Sequence, residues 1–530
     1  MFKKLFVLAL LASISLRAVA ISEMTLEEKV GQILMAHVHG EEANEDAKAL
    51  IQGAHVGGII YYTWANGLTS PEQVKQLSAG LQKLAKGTRL SLPLLIAADQ
   101  EGGVVARLSK GFTIFPGNKA LAMAGNPDFA EQSAEIMGQE LLAVGINMNL
   151  APDVDVNCNP RNPIIGVRSF GDSPETVVAY GKRALEGYRK SGVISSIKHY
   201  PGHGDVGIDS HHDLPVMNKS KEELAKIEFF PFAQLASEAD TVMTAHVLVP
   251  ALDPDLCATL SSKVLQYLRK EIGFQGAVLS DSLVMQGILQ QTGTVDEAAI
   301  RAFTAGCDLL ILGGKQIMGG QVKQEMTVAD VQRVHKNLVE AVKKGRISEE
   351  RLNEAVQRVL KLKKRAFPSI GIQAVKTVGN QALAHTIASL ALRVVKQNPA
   401  CLNSLAEKKI AVFAPQVIQE SVQETSLLKL GKESQPLFLD LDPSEGEIET
   451  AKKNARRAEI LLFCSYNAWK NPKQIALIQA LLETGKPFIL LALRDPLDAA
   501  LFPKADITIT TFSPTAPSIQ AGCDRLIKKE

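Results

Sequence analysis

The sequence predicts a (β/α)8 TIM-type barrel followed by a smaller three-layer α/β sandwich domain. Three observations predict it: eight short apolar runs, helical periods between them, and polar residues closing the runs one after another. The runs are 33–38, 56–61, 94–98, 146–150, 194–198, 241–247, 277–280 and 308–312. Each is nearly continuous in apolar or small residues, as expected of parallel strands buried on both faces. The stretches between them have helical period. Residues 175–190 place Val177, Val178, Ala184, Leu185 and Tyr188 along one side, and 131–144 behave similarly. Pattern alone leaves a doubly wound open sheet as the alternative, since it too alternates strand and helix.

Helix-like segments 328–344 and 349–364 complete the first block, which spans 21–367; a weakly periodic linker, 368–381, follows. The second block, 382–530, opens with a helix over 382–395. It continues with strand candidates 409–413, 437–441, 459–463, 488–493 and 507–511, and helices 447–457 and 472–482 lie between them. The first twenty residues stand apart. Lys3 and Lys4 precede an apolar run from Leu5 to Leu16, and Ala18-Val19-Ala20 follows, the order of a secretory signal peptide. That run is shorter than the roughly 20 residues a membrane span needs. The expectation is therefore an exported protein, periplasmic or extracellular, with no membrane span.

Composition narrows the function classes. The chain has 530 residues, 58 basic and 56 acidic side chains and a net charge of +2, so it carries no basic footprint for nucleic acid. Six cysteines are too few for a disulfide scaffold and form no C-x-x-C pair; Cys307 and Cys464 sit in apolar runs and read as buried thiols. Either a monomer or a homodimer fits this composition.

The chemistry-bearing residues collect at strand ends. Asp99-Gln100-Glu101 closes the third run, Asn149 and Asp153-Val154-Asp155 the fourth, Lys198-His199 the fifth, His246 the sixth and Asp281 the seventh. In a (β/α)8 barrel these all open onto the C-terminal face, where such enzymes keep their active sites. The segment 198–215 is a turn-rich loop, and half of the ten histidines fall in it and at His246. His199, His203 and His211 are separated by glycines and match no standard zinc spacing, so no metal ligand and no cofactor is assigned. Asp209 two residues before His211 can hold Nδ1–H and leave Nε2 free as a proton donor and acceptor; the alternative is a solvated loop pair. Asp281 ends a buried strand, where a carboxylate is hydrogen-bonded or used; its bland role would be to cap the next helix.

With these residues in view, the sequence resembles the glycoside hydrolase family 3 enzymes, specifically their β-N-acetylglucosaminidase branch. The motifs are Asp99-Gln100-Glu101-Gly102-Gly103 with Arg107, Arg168-Ser169-Phe170-Gly171, the loop Lys198–His211, and Ser280-Asp281 with Met285. The similarity spans roughly residues 22–370. The resemblance implies a retaining exo-hydrolase without cofactor that removes terminal GlcNAc from a glycan or muropeptide. It makes Asp281 the nucleophile, His211 the acid/base and Asp209 its partner, and it makes Asp99, Arg107, Arg168, Lys198 and His199 sugar-binding residues. Val104 and Ala106 depart from the Arg and Gln usual in the family, which puts the surroundings of Arg107 in question. The other classes considered are a β-glucosidase-type member of the family, a non-catalytic cell-wall binding protein and a metal-dependent hydrolase.

Overall fold

The computed structural model describes residues 19–318, 322–367, 380–398 and 405–527. The expected signal peptide and most of the linker 368–381 lie outside the described residues. The first block folds around eight parallel strands: β1 (Leu34–Ala36), β2 (Gly58–Ile60), β3 (Leu95–Ala98), β4 (Met148–Asn149), β5 (Ile194–Tyr200), β6 (Thr241–Thr244), β7 (Ala277–Leu279) and β8 (Leu310–Ile311). Each neighbours the next, Leu34 of β1 pairs with Leu310 of β8, and a parallel bridge joins Leu279 of β7 to Leu309. The sheet therefore closes on itself, which rules out the open doubly wound alternative.

Two apolar layers explain the continuous runs. Met35, Ile60, Leu95, Ala97, Met148, Ile194, Met243, Leu279 and Ile311 form one buried cluster. Their strand neighbours, among them Leu34, Ile59, Ile96, Ile197, Val242 and Val278, pack outward against the helices. A strand with both faces buried cannot show the polar alternation of a half-exposed one. Helix Glu349–Ala366 adds Val359, Leu362 and Ala366 to the inner cluster. Its Arg365 reaches the Val193 carbonyl and Asp240, at the starts of β5 and β6, so this helix seals the N-terminal end of the barrel. The opposite, C-terminal end stays open.

The second block is a six-stranded sheet built from β9 (Arg393–Gln397), β10 (Lys409–Pro415), β11 (Glu433–Leu439), β12 (Ile460–Ser465), β13 (Phe488–Ala492) and β14 (Ile507–Thr510), in the order β9-β14-β13-β12-β10-β11. One face packs Val412, Leu462 and Leu491 with Ile519, Cys523 and Leu526 of helix Ala516–Ile527. The other packs Phe413, Phe463 and Leu490 with helices Glu445–Arg457 and Pro472–Leu482. These are the expected three layers.

Two segments differ from expectation, and both are edges of this sheet. The helix expected over 382–395 runs Gln381–Ala391 and gives way to β9, which pairs antiparallel with β14. The strand expected over 437–441 is β11, starting earlier, at Glu433, and containing Pro436. Edge strands bond on one side only, so they tolerate proline and polar residues and lose the apolar signature of a central strand. The second unit rests on the barrel through a small cluster of Ala120, Ala391 and Phe512. Gln381 also bonds the Phe112 carbonyl at 2.9 Å, and Arg393 bonds the Met123 carbonyl at 2.6 Å. Among the described residues Cys158, Cys257, Cys307, Cys464 and Cys523 are free thiols, with Cys307 and Cys464 buried as expected. No helix among the described residues is long and apolar enough to cross a membrane.

Candidate active site

The open end of the barrel holds a cleft of about 730 Å³. Asp99, Arg107, Arg168, Lys198, His199, His211 and Asp281 all line it, so seven of the eight site residues expected from sequence share one wall or floor. The eighth, Asp209, sits behind His211. Apolar side chains from strand ends, Ile60, Leu150, Met243 and Ile311, form the floor, and Tyr62, Trp64 and Met285 flank it.

The cationic side is a buried ion network. Lys198, 2% exposed, places Nζ 3.0 Å from Asp99 Oδ1 and 2.6 Å from Glu101 Oε1. Arg168 donates twice to Glu101, Nε to Oε2 at 3.0 Å and Nη2 to Oε1 at 2.8 Å, and its Nη2 lies 3.5 Å from Asp153 Oδ2. Burial alone would raise the carboxyl pKa of Asp99 and Glu101. For Asp99 the charges of Lys198 and Arg107, and for Glu101 those of Arg168 and Lys198, outweigh burial and hold both groups ionised, below the usual range. Asp153 goes the other way. Burial and then the charge of Asp155 push its pKa well up, against the opposing charge of Arg168. The cluster thus presents fixed donors and acceptors for hydroxyl groups, each charge already paired.

Glu101 was not assigned from sequence, yet it joins Lys198 to Arg168. We expect Glu101→Gln to lower unfolding stability by about 3 kcal/mol or more, read from the urea midpoint, because it leaves two buried cations short of a carboxylate.

Arg107 is aimed by the hairpin that follows β3. Gln100 Oε1 accepts from the backbone N–H groups of Arg107 and Leu108, and Gln100 Nε2 donates to the Leu108 carbonyl. The turn needs Gly103, which has φ +62° and whose Cβ would stand 2.9 Å from the Pro116 carbonyl oxygen. Arg107 Nη2 then returns to Asp99 Oδ2 at 3.1 Å and lies over the Tyr62 ring. Ala106 does not disturb this. Ala106 turns away from the cleft toward a groove shared with Gln416 and Glu420 of the second unit.

His199 is fixed from both ring nitrogens. Nδ1 is 2.7 Å from Asp155 Oδ2, and Nε2 is 3.3 Å from Arg168 Nη2. Arg168 has only donors, so Nε2 accepts and Nδ1–H donates to Asp155. Asp155 also accepts the His203 backbone N–H at 2.7 Å, which folds the following loop back onto the barrel. Gly204 completes that contact; a Cβ there would overlap the Val156 carbonyl oxygen at 1.8 Å. His203 is buried, its pKa pulled down to about 4 by that burial, and its Nε2 meets Ser210 Oγ at 3.1 Å. His199, His203 and His211 therefore face different partners and form no shared metal site. Asp153, Asp155 and His199 do bring three ligand atoms close together, but His199 Nδ1 and Asp155 Oδ2 are already committed to each other at 2.7 Å.

The loop then presents His211 at the rim. Its Nδ1 is 2.8 Å from Asp209 Oδ1, which also accepts the His211 backbone N–H at 2.9 Å. Nε2 has no partner among the described residues. Burial would lower the His211 pKa; the hydrogen bond and charge of Asp209 overturn that and raise it. Asp281, at the end of β7, accepts the Ser282 backbone N–H on Oδ1 at 2.7 Å, and Oδ2 has no partner among the described residues. Burial would raise its pKa too, but His246, His199 and His211 hold it below the usual range, so it is ionised. His246 is itself buried and pulled down by burial; it bonds the Ser282 carbonyl at 2.9 Å and so steadies the Asp281 turn.

A (β/α)8 barrel whose open face gathers an ionised carboxylate, an Asp–His pair and a buried ion network has its polar groups where enzymes of this fold keep their active sites. The chain belongs to glycosyl hydrolase family 3: the model of the glycosyl hydrolase family 3 N terminal domain matches residues 25–362. It is 34% identical over 368 residues to Beta-hexosaminidase A of Pseudoalteromonas piscicida, covering 66% of this chain and 60% of that protein. The chain thus spans about three fifths of that relative's length. It is 33% identical over 283 residues to a Beta-hexosaminidase of Idiomarina loihiensis, covering 53% of this chain and 83% of that one. Among solved structures it is similar to a glycoside hydrolase family 3 beta-N-acetylglucosaminidase from Paenibacillus sp. str. FPU-7. There the TM-score is 0.84 at 35% identity, over 96% of this chain and 97% of that one, so both units are shared.

Proposed function

We propose that the protein is a retaining exo-β-N-acetylglucosaminidase that removes the terminal non-reducing GlcNAc of peptidoglycan fragments or chitooligosaccharides. The observation that carries the reading is the Asp209–His211 pair on the cleft rim, within Coulombic reach of an ionised Asp281. The names of the relatives support GlcNAc as the sugar. Asp281 Oδ2 attacks the anomeric carbon while the His211 imidazolium gives its Nε2 proton to the leaving oxygen. The C–O bond to the aglycone breaks and a glycosyl ester of Asp281 forms. His211, now neutral, takes a proton from water, whose oxygen displaces the carboxylate. Asp99, Arg107, Arg168, Lys198 and His199 bind the sugar hydroxyls. No metal or cofactor enters these steps.

The purified protein should hydrolyse an aryl β-GlcNAc at least tenfold better than the aryl β-glucoside in kcat/KM. The reverse order would place it with β-glucosidase-type members, and no turnover of either would favour a binding protein. GlcNAc–anhydroMurNAc against chitobiose, compared by kcat/KM, decides between cell-wall fragments and chitooligosaccharides. We read residues 1–20 as an export signal, which makes the mature protein periplasmic or extracellular. Mass analysis of the N-terminus after expression in a bacterium tests this: a chain starting near Ile21 in the secreted fraction is expected, and one retaining Met1 in the cytoplasm contradicts it.

A further inference from the structure

Beside the sugar cleft lies a second constellation that the hydrolytic reaction does not use. The chain leaving β1 carries His37-Val38-His39. On extended backbone, residues two apart share a face. Val38 is buried in the core, while both imidazoles turn toward Trp64, whose ring centroid lies 5.1 Å from that of His37 and 5.4 Å from that of His39. Glu325 reaches the same spot from the hairpin Val322–Glu325, with Oε2 2.8 Å from His39 Nε2. One ligand atom from each of His37, His39 and Glu325 lies within 4.8 Å of the others.

His37 gives the cluster its direction. It is 4% exposed, and its Nδ1 has no hydrogen-bond partner. A neutral imidazole carries its proton on one ring nitrogen and a lone pair on the other. With the proton on Nε2, the buried, unpartnered Nδ1 is a bare donor atom aimed into the cluster. Two imidazoles and a carboxylate are a zinc-class ligand set that keeps a fourth position open. Metal bonds of about 2.0–2.1 Å set tetrahedral ligand atoms roughly 3.4 Å apart. The half-exposed His39 and partly exposed Glu325 reach that spacing by small side-chain rotations.

We propose that His37, His39 and Glu325 form a site for one divalent transition-metal ion of the zinc class, separate from Asp281 and His211. The ion replaces the His39–Glu325 ion pair. It also braces the wall on which Trp64 stacks over Tyr62 at 5.2 Å, both rings lining the cleft.

Chelator-treated full-length protein titrated with zinc chloride in a calorimeter is expected to take up one saturable equivalent. His39→Gln and Glu325→Gln, both at accessible positions, should each weaken uptake at least about tenfold, with melting temperatures unchanged. Asp209→Asn and His211→Ala should alter it less than twofold. Cobalt(II) in place of zinc should give the visible bands of a low-coordinate site, lost in His39→Gln. Absence of saturable uptake overturns the assignment. So does uptake that survives His39→Gln, or that disappears with His211→Ala. None of these readouts requires turnover, so they stand or fall apart from the hydrolase reading.

Discussion

Asp281→Asn is expected to lower kcat/KM for an aryl β-GlcNAc by about 10⁴-fold or more, the scale of loss when a covalent nucleophile is removed. The chemical reason is local. Asp281 is ionised because three imidazoles face it, and Oδ2 is the oxygen left without a hydrogen-bond partner. Asparagine keeps the shape and one acceptor but has no anionic oxygen to bond the anomeric carbon. Substrate affinity should survive, since the proposed sugar-binding groups Lys198 and His199 are held by Glu101, Asp99 and Asp155 rather than by Asp281. A truncated Asp281→Gly variant supplied with azide should regain turnover and release the α-glycosyl azide, because the small anion enters from the face the carboxylate occupied. If Asp281→Asn instead raised KM with kcat preserved, the residue would be a binding group and the nucleophile would lie elsewhere.

The legible and illegible parts of the molecule divide along physical lines. The barrel strands could be read because burial on both faces writes an unbroken apolar run, and their polar termini mark the open end. Asp209 and His211 could be read because the partners are two residues apart and their hydrogen bond is nearly fixed by chain geometry. Glu101 and Asp155 could not be assigned. Each stands near a recognised residue in sequence, but Glu101 meets Arg168 across 67 residues and Asp155 meets His199 across 44, contacts that exist only once the barrel closes. The signal was present in the carboxylates that end β3 and follow β4; what sequence lacked was the pairing. Tyr62 and Trp64 carried no such signal, since aromatic residues in a loop look alike whether they wall a cleft or cap a core. The two misplaced segments of the second unit, β9 and β11, are edges, where half the burial that writes the pattern is missing.

The second large effect concerns the proton. His211→Ala should slow substrates with poor leaving groups by about 10²–10⁴-fold, the usual contribution of a general acid. An aryl leaving group that departs as a stabilised phenolate needs less help and should lose far less in its first step. The pH dependence follows from the direction of the shifts. In the proposed mechanism the imidazolium is the acid, and Asp209 raises the His211 pKa above its ordinary value of 6.5 against the opposing effect of burial. Activity on poor leaving groups is therefore retained below that raised pKa and falls as pH climbs through it. Asp281 is lowered, so the acidic limb lies below the ordinary carboxylate pKa of 3.8. Asp209→Asn removes the charge that raises His211 while keeping a side chain able to accept the Nδ1–H bond. Its basic limb should move down toward the ordinary histidine range, so the loss grows from about pH 6 to pH 8. A basic limb that stayed in place would show that Asp209 orients the ring without setting its proton affinity. A limb lost in His211→Ala and displaced in Asp209→Asn is the expected pair of results, and it assigns the acid to His211 and the setting of its proton affinity to Asp209.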